Sequence, residues 1–134
     1  MGRRLIVDTN ILIELERNPQ QLPAGLHPDD ELAVSAVTRA ELLTGVELAR
    51  STHVQLRRRA KVERILAGVE TLDYTGTTAE HHALLLAHTR ETGTSRVAHD
   101  LIIAAHARES GRPVLSKDSA ARFGSLPGVH VVEA

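Results

Sequence analysis

Leu5-Ile6-Val7 is a short unbroken apolar run that stops at Asp8, the pattern of a strand buried on both faces. Ile11, Leu12 and Leu15 follow at helical spacing. Asn18-Pro19 ends that helix, because proline disfavours the helical region for the residue before it. Gln20 to Asp30 holds two more prolines and a glycine and reads as a loop. Leu32 to Val37 predicts a second strand, and Thr38 is expected to open a helix whose apolar face is Leu42, Leu43 and Val46. A further helix is expected over Val54–Ala67, with Leu56, Ile65 and Leu66 inward and Gly68 as its stop. Val69–Leu72 predicts a third strand, and Thr77–Arg90 a helix carrying Leu84, Leu85 and Leu86. After the break at Gly93-Thr94-Ser95, Val97–Ser110 predicts a helix packing Ile102, Ile103 and Ala105, ended by Gly111 and Pro113. Val114-Leu115 and Val129–Val132 predict a fourth and a fifth strand. Strands alternating with helices indicate an α/β fold, a parallel sheet covered by helices on both faces. Neither repeat nor linker interrupts the pattern, so residues 1–134 are expected to form one domain.

Composition narrows the function classes. Hydrophobic residues are 42% and charged residues 25%, the balance of a soluble globular protein. There is no cysteine, which excludes a disulfide framework and a cysteine-type zinc site and fits a reducing cytoplasm. No apolar run approaches a membrane span, and Leu5-Ile6-Val7 is too short for a signal sequence. With 16 Lys and Arg against 17 Asp and Glu the net charge is −1, so any nucleic-acid contact must come from local basic patches rather than bulk charge. Tyr74 and Phe123 are the only aromatics, which argues against base-stacking platforms.

Four acids carry the candidate chemistry, and each has an ordinary explanation. Thr38 and Glu41 have the spacing of a capping box. Asp100 lies near a helix start, where the macrodipole favours negative charge. Asp118 follows a strand and is placed to cap a short helix towards Phe123, and Asp8 is placed to cap the first helix. Together they say more. Asp8, Glu41 and Asp118 each follow a strand, and the helix bearing Asp100 runs back into the fourth strand. In a parallel sheet all four then face the edge beyond the strands' carboxyl ends, where open α/β sheets bind ligands.

Gathering carboxylates has an electrostatic cost. Two like charges about 4 Å apart repel by about 1 kcal/mol in water and about 4 kcal/mol at an effective dielectric near 20. A cation relieves that repulsion, and an all-oxygen donor set selects Mg²⁺ or Mn²⁺. Such an ion orients water, lowers its pKa and neutralises charge developing on a phosphoryl oxygen.

Leu5-Ile6-Val7-Asp8-Thr9-Asn10, Ser35-Ala36-Val37-Thr38-Arg39-Ala40-Glu41-Leu42-Leu43-Thr44-Gly45, Asp100-Leu101-Ile102-Ile103-Ala104-Ala105-His106-Ala107 and Val114-Leu115-Ser116-Lys117-Asp118 resemble the successive motifs of PIN-domain proteins. The chain's length is similar to that of VapC toxins of bacterial VapBC toxin–antitoxin modules. The resemblance implies a three-layer α/β/α sandwich around a parallel sheet of four to five strands. It also implies Mg²⁺- or Mn²⁺-dependent endoribonuclease activity leaving a 5′-phosphate and a 3′-hydroxyl, inhibition by a cognate VapB-type antitoxin, and a homodimer. Asp8 and Asp100 match the family's principal metal ligands, Glu41 and Asp118 its supporting acids, and Thr9 and Ser116 small hydroxyl positions beside the site, where substrate would lie.

Other features weigh less. His99, beside Asp100, is expected to be a surface imidazole, and His81, His82 and His88 to be solvated. Arg57, Arg58, Arg59, Lys61 and Arg64 make either an RNA-phosphate patch or a solvated helix face. Lys117 reads as a surface lysine. Ile11, Leu12 and Leu15, with Leu42, Leu43 and Val46, are core residues whose exposed remainder forms a groove for a partner helix. A competing reading is a non-catalytic module docking a basic peptide in the acidic pocket. A receiver-like or phosphoryl-transfer domain is disfavoured, because Asp8-Thr9-Asn10 lacks a second Asp and there is no glycine-rich phosphate loop.

Overall fold

Strand β1, Arg4–Val7, alternates its side chains between two separate cores, and this alternation sets the layers of the molecule. A computed structural model describes residues 2–132. Its sheet has the order β3-β2-β1-β4, all parallel, with β2 at Glu31–Ser35, β3 at Glu70–Leu72 and β4 at Val114–Leu115. Leu5 pairs with Leu32, and Ile6 lies between Ala33 and Val114.

Leu5 and Val7 point into a core with Ile11 and Leu12 of α1 (Thr9–Arg17), Val46 of α2 (Ala36–Glu47) and Ile65 of α3 (Thr52–Leu66). Ile6 points the other way, against Leu85 of α4 (Gly76–Thr92) and Leu101 and Ile103 of α5 (Ala98–Ser110). The division follows from handedness. The crossovers β1 to β2 and β2 to β3 step one way along the sheet, and β3 to β4 steps back. Right-handed connections therefore put α1–α3 on one face and α4–α5 on the other. The result is the expected α/β/α sandwich, with four strands.

Departures from the sequence expectations that go beyond a residue or two at an element's end, or that change a helix cap, are these. The fifth strand expected at Val129–Val132 is a single parallel bridge between Val131 and Val114, because β4 has only two residues to pair with. Leu56, expected inward, is 63% exposed. It precedes buried Val62 by six residues and so lies about 120° around the helix from it, at about 100° per residue. The second strand ends at Ser35, and α2 begins at Ala36 rather than Thr38. Ser35 is the N-cap, its Oγ accepting from the Val37 N–H at 3.1 Å.

Helix α5 ends at Gly111, whose positive φ of 73° suits a residue without Cβ, and Arg112-Pro113 leads directly into β4. That short return places the N-terminus of α5 at the edge where the strands end. The buried Arg112 fixes the return by donating to the Leu5 carbonyl at 3.3 Å and to Glu70 at 2.6 Å.

Candidate active site

The chain switches direction across the sheet at β1, with β2 on one side and β4 on the other. Such a switch leaves a crevice beyond the carboxyl ends of the strands. Asp8 follows β1 and Ser116–Asp118 follow β4, so they stand on its two sides.

One hydroxyl joins them. Ser116 Oγ donates to Asp8 Oδ2 and accepts from the Asp118 backbone N–H at 3.0 Å. Asp8 Oδ1 also accepts from the Ile11 N–H at 3.4 Å, capping α1, and Asp118 Oδ1 accepts from the Ala120 N–H at 3.0 Å, capping a 3₁₀ turn at Ser119–Ala121. The capping reading of both acids is therefore correct, and it is compatible with a shared site. Each bond uses one lone pair and fixes where the rest of the carboxylate sits.

Asp100 is the third residue of α5 and is half-buried. Burial holds its carboxyl above the ordinary value, Asp118 pushes it the same way, and Asp8 adds to the effect. His99 and Arg96 act in the opposite direction. Asp100 thus lies in the joint field of Asp118 and Asp8, partly offset by His99 and Arg96. Thr9, the first residue of α1, is half-buried beside Asp8.

Glu41 stands apart from these three, and here two expectations fail. With Ser35 as N-cap, Thr38 and Glu41 lie inside α2, so the capping box does not form. Glu41 instead extends a 57% exposed side chain to His99, whose Nδ1 lies 3.2 Å from Oε1. His99 is not a surface imidazole. Its side chain is only 16% exposed, and Nε2 lies 3.0 Å from Oγ1 of the buried Thr38.

Arg96 escaped sequence reasoning. Nη1 donates to the carbonyls of Ala121 and Arg122 at 2.5 and 2.8 Å, and Nη2 donates to Ser125 Oγ at 2.5 Å. It clamps the segment after Asp118 to the loop before Asp100. Its only sequence signal is an arginine four residues before that acid. Lys117 is paired with Glu14 of α1 rather than free. The remaining histidines do not join the acids. His82, expected to be solvated, is half-buried and bonds Tyr74 Oη through Nδ1 at 2.7 Å. His106 is buried against Tyr74, and burial pulls both imidazoles below their ordinary pKa.

As placed, no three His, Cys, Asp or Glu side chains among the described residues lie close enough to hold one ion together. The donor set nevertheless suits a hard divalent cation. It is all oxygen and anionic, and burial together with Asp118 and Asp8 disfavours the ionised Asp100, a cost that a cation would relieve.

A parallel sandwich with acids beyond the strand ends at its switch point is an architecture suited to a nuclease domain. The PIN domain family model matches residues 5–125, and the chain belongs to that family. It is 36% identical over 128 residues to Ribonuclease VapC5 of Mycobacterium tuberculosis, covering 96% of this chain and 91% of that one. Its fold matches the crystal structure of VapBC-5, a VapBC-family toxin–antitoxin system of the same organism, with a TM-score of 0.76 at 31% identity over 99% of this chain and 100% of that one. The DNA-bound VapBC of Salmonella typhimurium gives a TM-score of 0.77 at 27% identity, over 98% and 97% of the two chains.

Proposed function

We propose that this chain is a metal-dependent endoribonuclease, the toxin of a type II toxin–antitoxin module, and that Asp8, Glu41, Asp100 and Asp118 form its active site. The observation that carries the reading is the Ser116 hydroxyl, which bridges Asp8 and the Asp118 backbone at the crevice edge where the first turn of α5 brings the half-buried Asp100. Kinship to a ribonuclease over nearly the whole chain supports the substrate class.

Asp8 and Asp100 would be the direct ligands of Mg²⁺ or Mn²⁺, with Glu41 and Asp118 completing the shell. The ion, when bound, supplies electrophilic activation of the phosphodiester and a more acidic water. The protein's own part is positional. Ser116 fixes Asp8 relative to Asp118, Arg96 fixes the segment behind Asp118, and the first turn of α5 holds Asp100 within electrostatic reach of both acids. Thr9 and Ser116 border the position of the scissile phosphate. Hydrolysis would leave a 5′-phosphate and a 3′-hydroxyl.

The partner reading rests on the face formed by α1, α2 and α3. Ile11, Leu12 and Val46 are core, but Leu15, Leu42 and Leu43 are only half-buried. A cleft of about 490 Å³ opens beside Leu12, Leu15, Leu32 and Ile65, and a second of about 260 Å³ between Leu43 and Val62. A segment of a cognate VapB-type antitoxin would cover this apolar face, and the toxin would act as a cytoplasmic homodimer of single-domain chains. No helix among the described residues is long and apolar enough to cross a membrane.

The test is incubation of purified protein with total cellular RNA in Mg²⁺, followed by mapping of new 5′ ends. Discrete 5′-phosphate termini that vanish with EDTA are expected. Intact RNA at micromolar enzyme, with either Mg²⁺ or Mn²⁺, contradicts the reading.

A further inference from the structure

Glu41 is the acid least determined by its backbone. It has three flexible side-chain torsions, it is mostly exposed, and it does not cap its helix. Asp8, Asp118 and Asp100 are short side chains set by caps and by a helix start, whereas a long exposed carboxylate has many rotamers. Something must hold Glu41 if it is to act with the others.

We infer that His99 is a positioning residue that carries the order of the buried Thr38 across to the Glu41 carboxylate and so sets the site's affinity for its divalent ion. Thr38 and Glu41 lie one turn apart on the same face of α2. His99 is the second residue of α5 and reaches both, with Nε2 3.0 Å from Thr38 Oγ1 and Nδ1 3.2 Å from Glu41 Oε1. Thr38 is fully buried on α2, so it anchors the ring. The carboxylate can only accept a hydrogen bond, so the hydrogen between them belongs to Nδ1, while Nε2 pairs with the Thr38 hydroxyl, which can donate or accept. The buried Nδ1 has no aligned hydrogen-bond partner with the acids as placed, and the nearest anion is Glu41. A small rotation of Glu41 would complete the bond. Because His99 precedes Asp100, the same contact ties Glu41 to the first turn of α5, which carries Asp100. Partners of this kind behind metal-binding groups are worth about 10–100-fold in affinity or activity.

The inference rests on the metal reading of the site, and the experiment separates the two. Mn²⁺ binding to the full chain is measured by titration calorimetry and by the metal-induced rise in melting temperature, for wild type, His99→Ala, His99→Asn and His99→Gln. An asparagine amide nitrogen falls near the place of Nδ1 and a glutamine amide near that of Nε2. His99→Ala is expected to bind Mn²⁺ about tenfold more weakly. His99→Asn should recover most of that loss, and His99→Gln should resemble alanine. In a Glu41→Gln background, His99→Ala should cost nothing further. Unchanged Mn²⁺ affinity in His99→Ala overturns the inference while leaving the metal reading intact. So does an equal loss in the Glu41→Gln background, or a glutamine that rescues better than asparagine. Absence of Mn²⁺ binding by wild type overturns the metal reading and the inference with it. Melting of each metal-free variant identifies a folding defect, and the Asn–Gln comparison decides the matter between two folded proteins if alanine unfolds.

Discussion

Ser116 connects the two sides of the crevice through a single oxygen, donating to Asp8 and accepting from the Asp118 backbone. Ser116→Ala should therefore lower ribonuclease activity by roughly 10–100-fold, as loss of an outer partner does, while costing only about 1 kcal/mol of stability in urea denaturation. Asp100 behaves in the opposite sense. Its ionised form is disfavoured by burial and by Asp118 and Asp8, so Asp100→Asn should raise the melting temperature of metal-free protein at neutral pH and abolish cleavage. Asp30 reports on acid stability away from the site. The Arg3 guanidinium donates to both its oxygens at 2.9 and 2.7 Å and holds its pKa down at about 2, against 3.8 ordinarily. A depressed carboxyl stabilises the fold above its ordinary pKa, and that contribution disappears as pH falls from about 3.8 through about 2. Asp30→Asn should accordingly destabilise the protein at pH 7 and converge on wild type near pH 2 in thermal melts. At this scale the places of Asp8 and Asp118 after their strands and of Asp100 at a helix start were legible, because their spacing from the apolar runs is written in the chain. Arg96 and His99 were not. Their roles depend on which distant backbone or side chain the fold brings within reach, and no local pattern encodes that.

At the scale of elements, the start of α2 decides how Glu41 is understood. Thr38 and Glu41 have the spacing of a capping box, but Ser35 caps the helix three residues earlier. Ser35 ends a strand with its hydroxyl already turned to the Val37 N–H, and Ala36 and Val37 continue the helix without a break. Sequence periodicity alone cannot separate the last residue of a buried apolar strand from the first turn of a buried helix. Chemical denaturation should find Ser35→Ala destabilising by about 1 kcal/mol. Glu41→Gln should stay within about 0.5 kcal/mol of wild type while losing activity. A Glu41 variant that unfolds like a lost cap would restore the discarded reading. The segment after Asp118 depends in the same way on Arg96, which bonds two of its carbonyls and Ser125. Arg96→Lys keeps the charge but loses the planar fork. It should speed amide exchange in residues 119–125 and reduce activity, leaving exchange in β1 unchanged.

For the whole molecule, the layers could be read from the sequence and the edges could not. The alternation of Leu5, Ile6 and Val7 between two cores, and the strand–helix order, follow from pattern and handedness. The reduced fifth strand follows from the two-residue length of β4, which no hydrophobic pattern announces. Order along the sheet matters most for function. Because β2 and β4 flank β1, Asp8 and Asp118 meet across one crevice, although they lie 110 positions apart in the chain (118 − 8). An ion shared across that crevice should stabilise the whole fold, by about 2.7 kcal/mol at 100 times its dissociation constant. The decisive measurement compares wild type with Asp100→Asn on one RNA substrate in Mg²⁺, with the folded state of both checked by thermal melting. The acid-cluster account predicts 5′-phosphate products from wild type only, lost with EDTA, and a folded Asp100→Asn that is inactive by at least about 100-fold, the scale of losing more than about 2.7 kcal/mol of transition-state stabilisation. Cleavage by Asp100→Asn at the wild-type rate, or wild-type cleavage unaffected by EDTA, would contradict it.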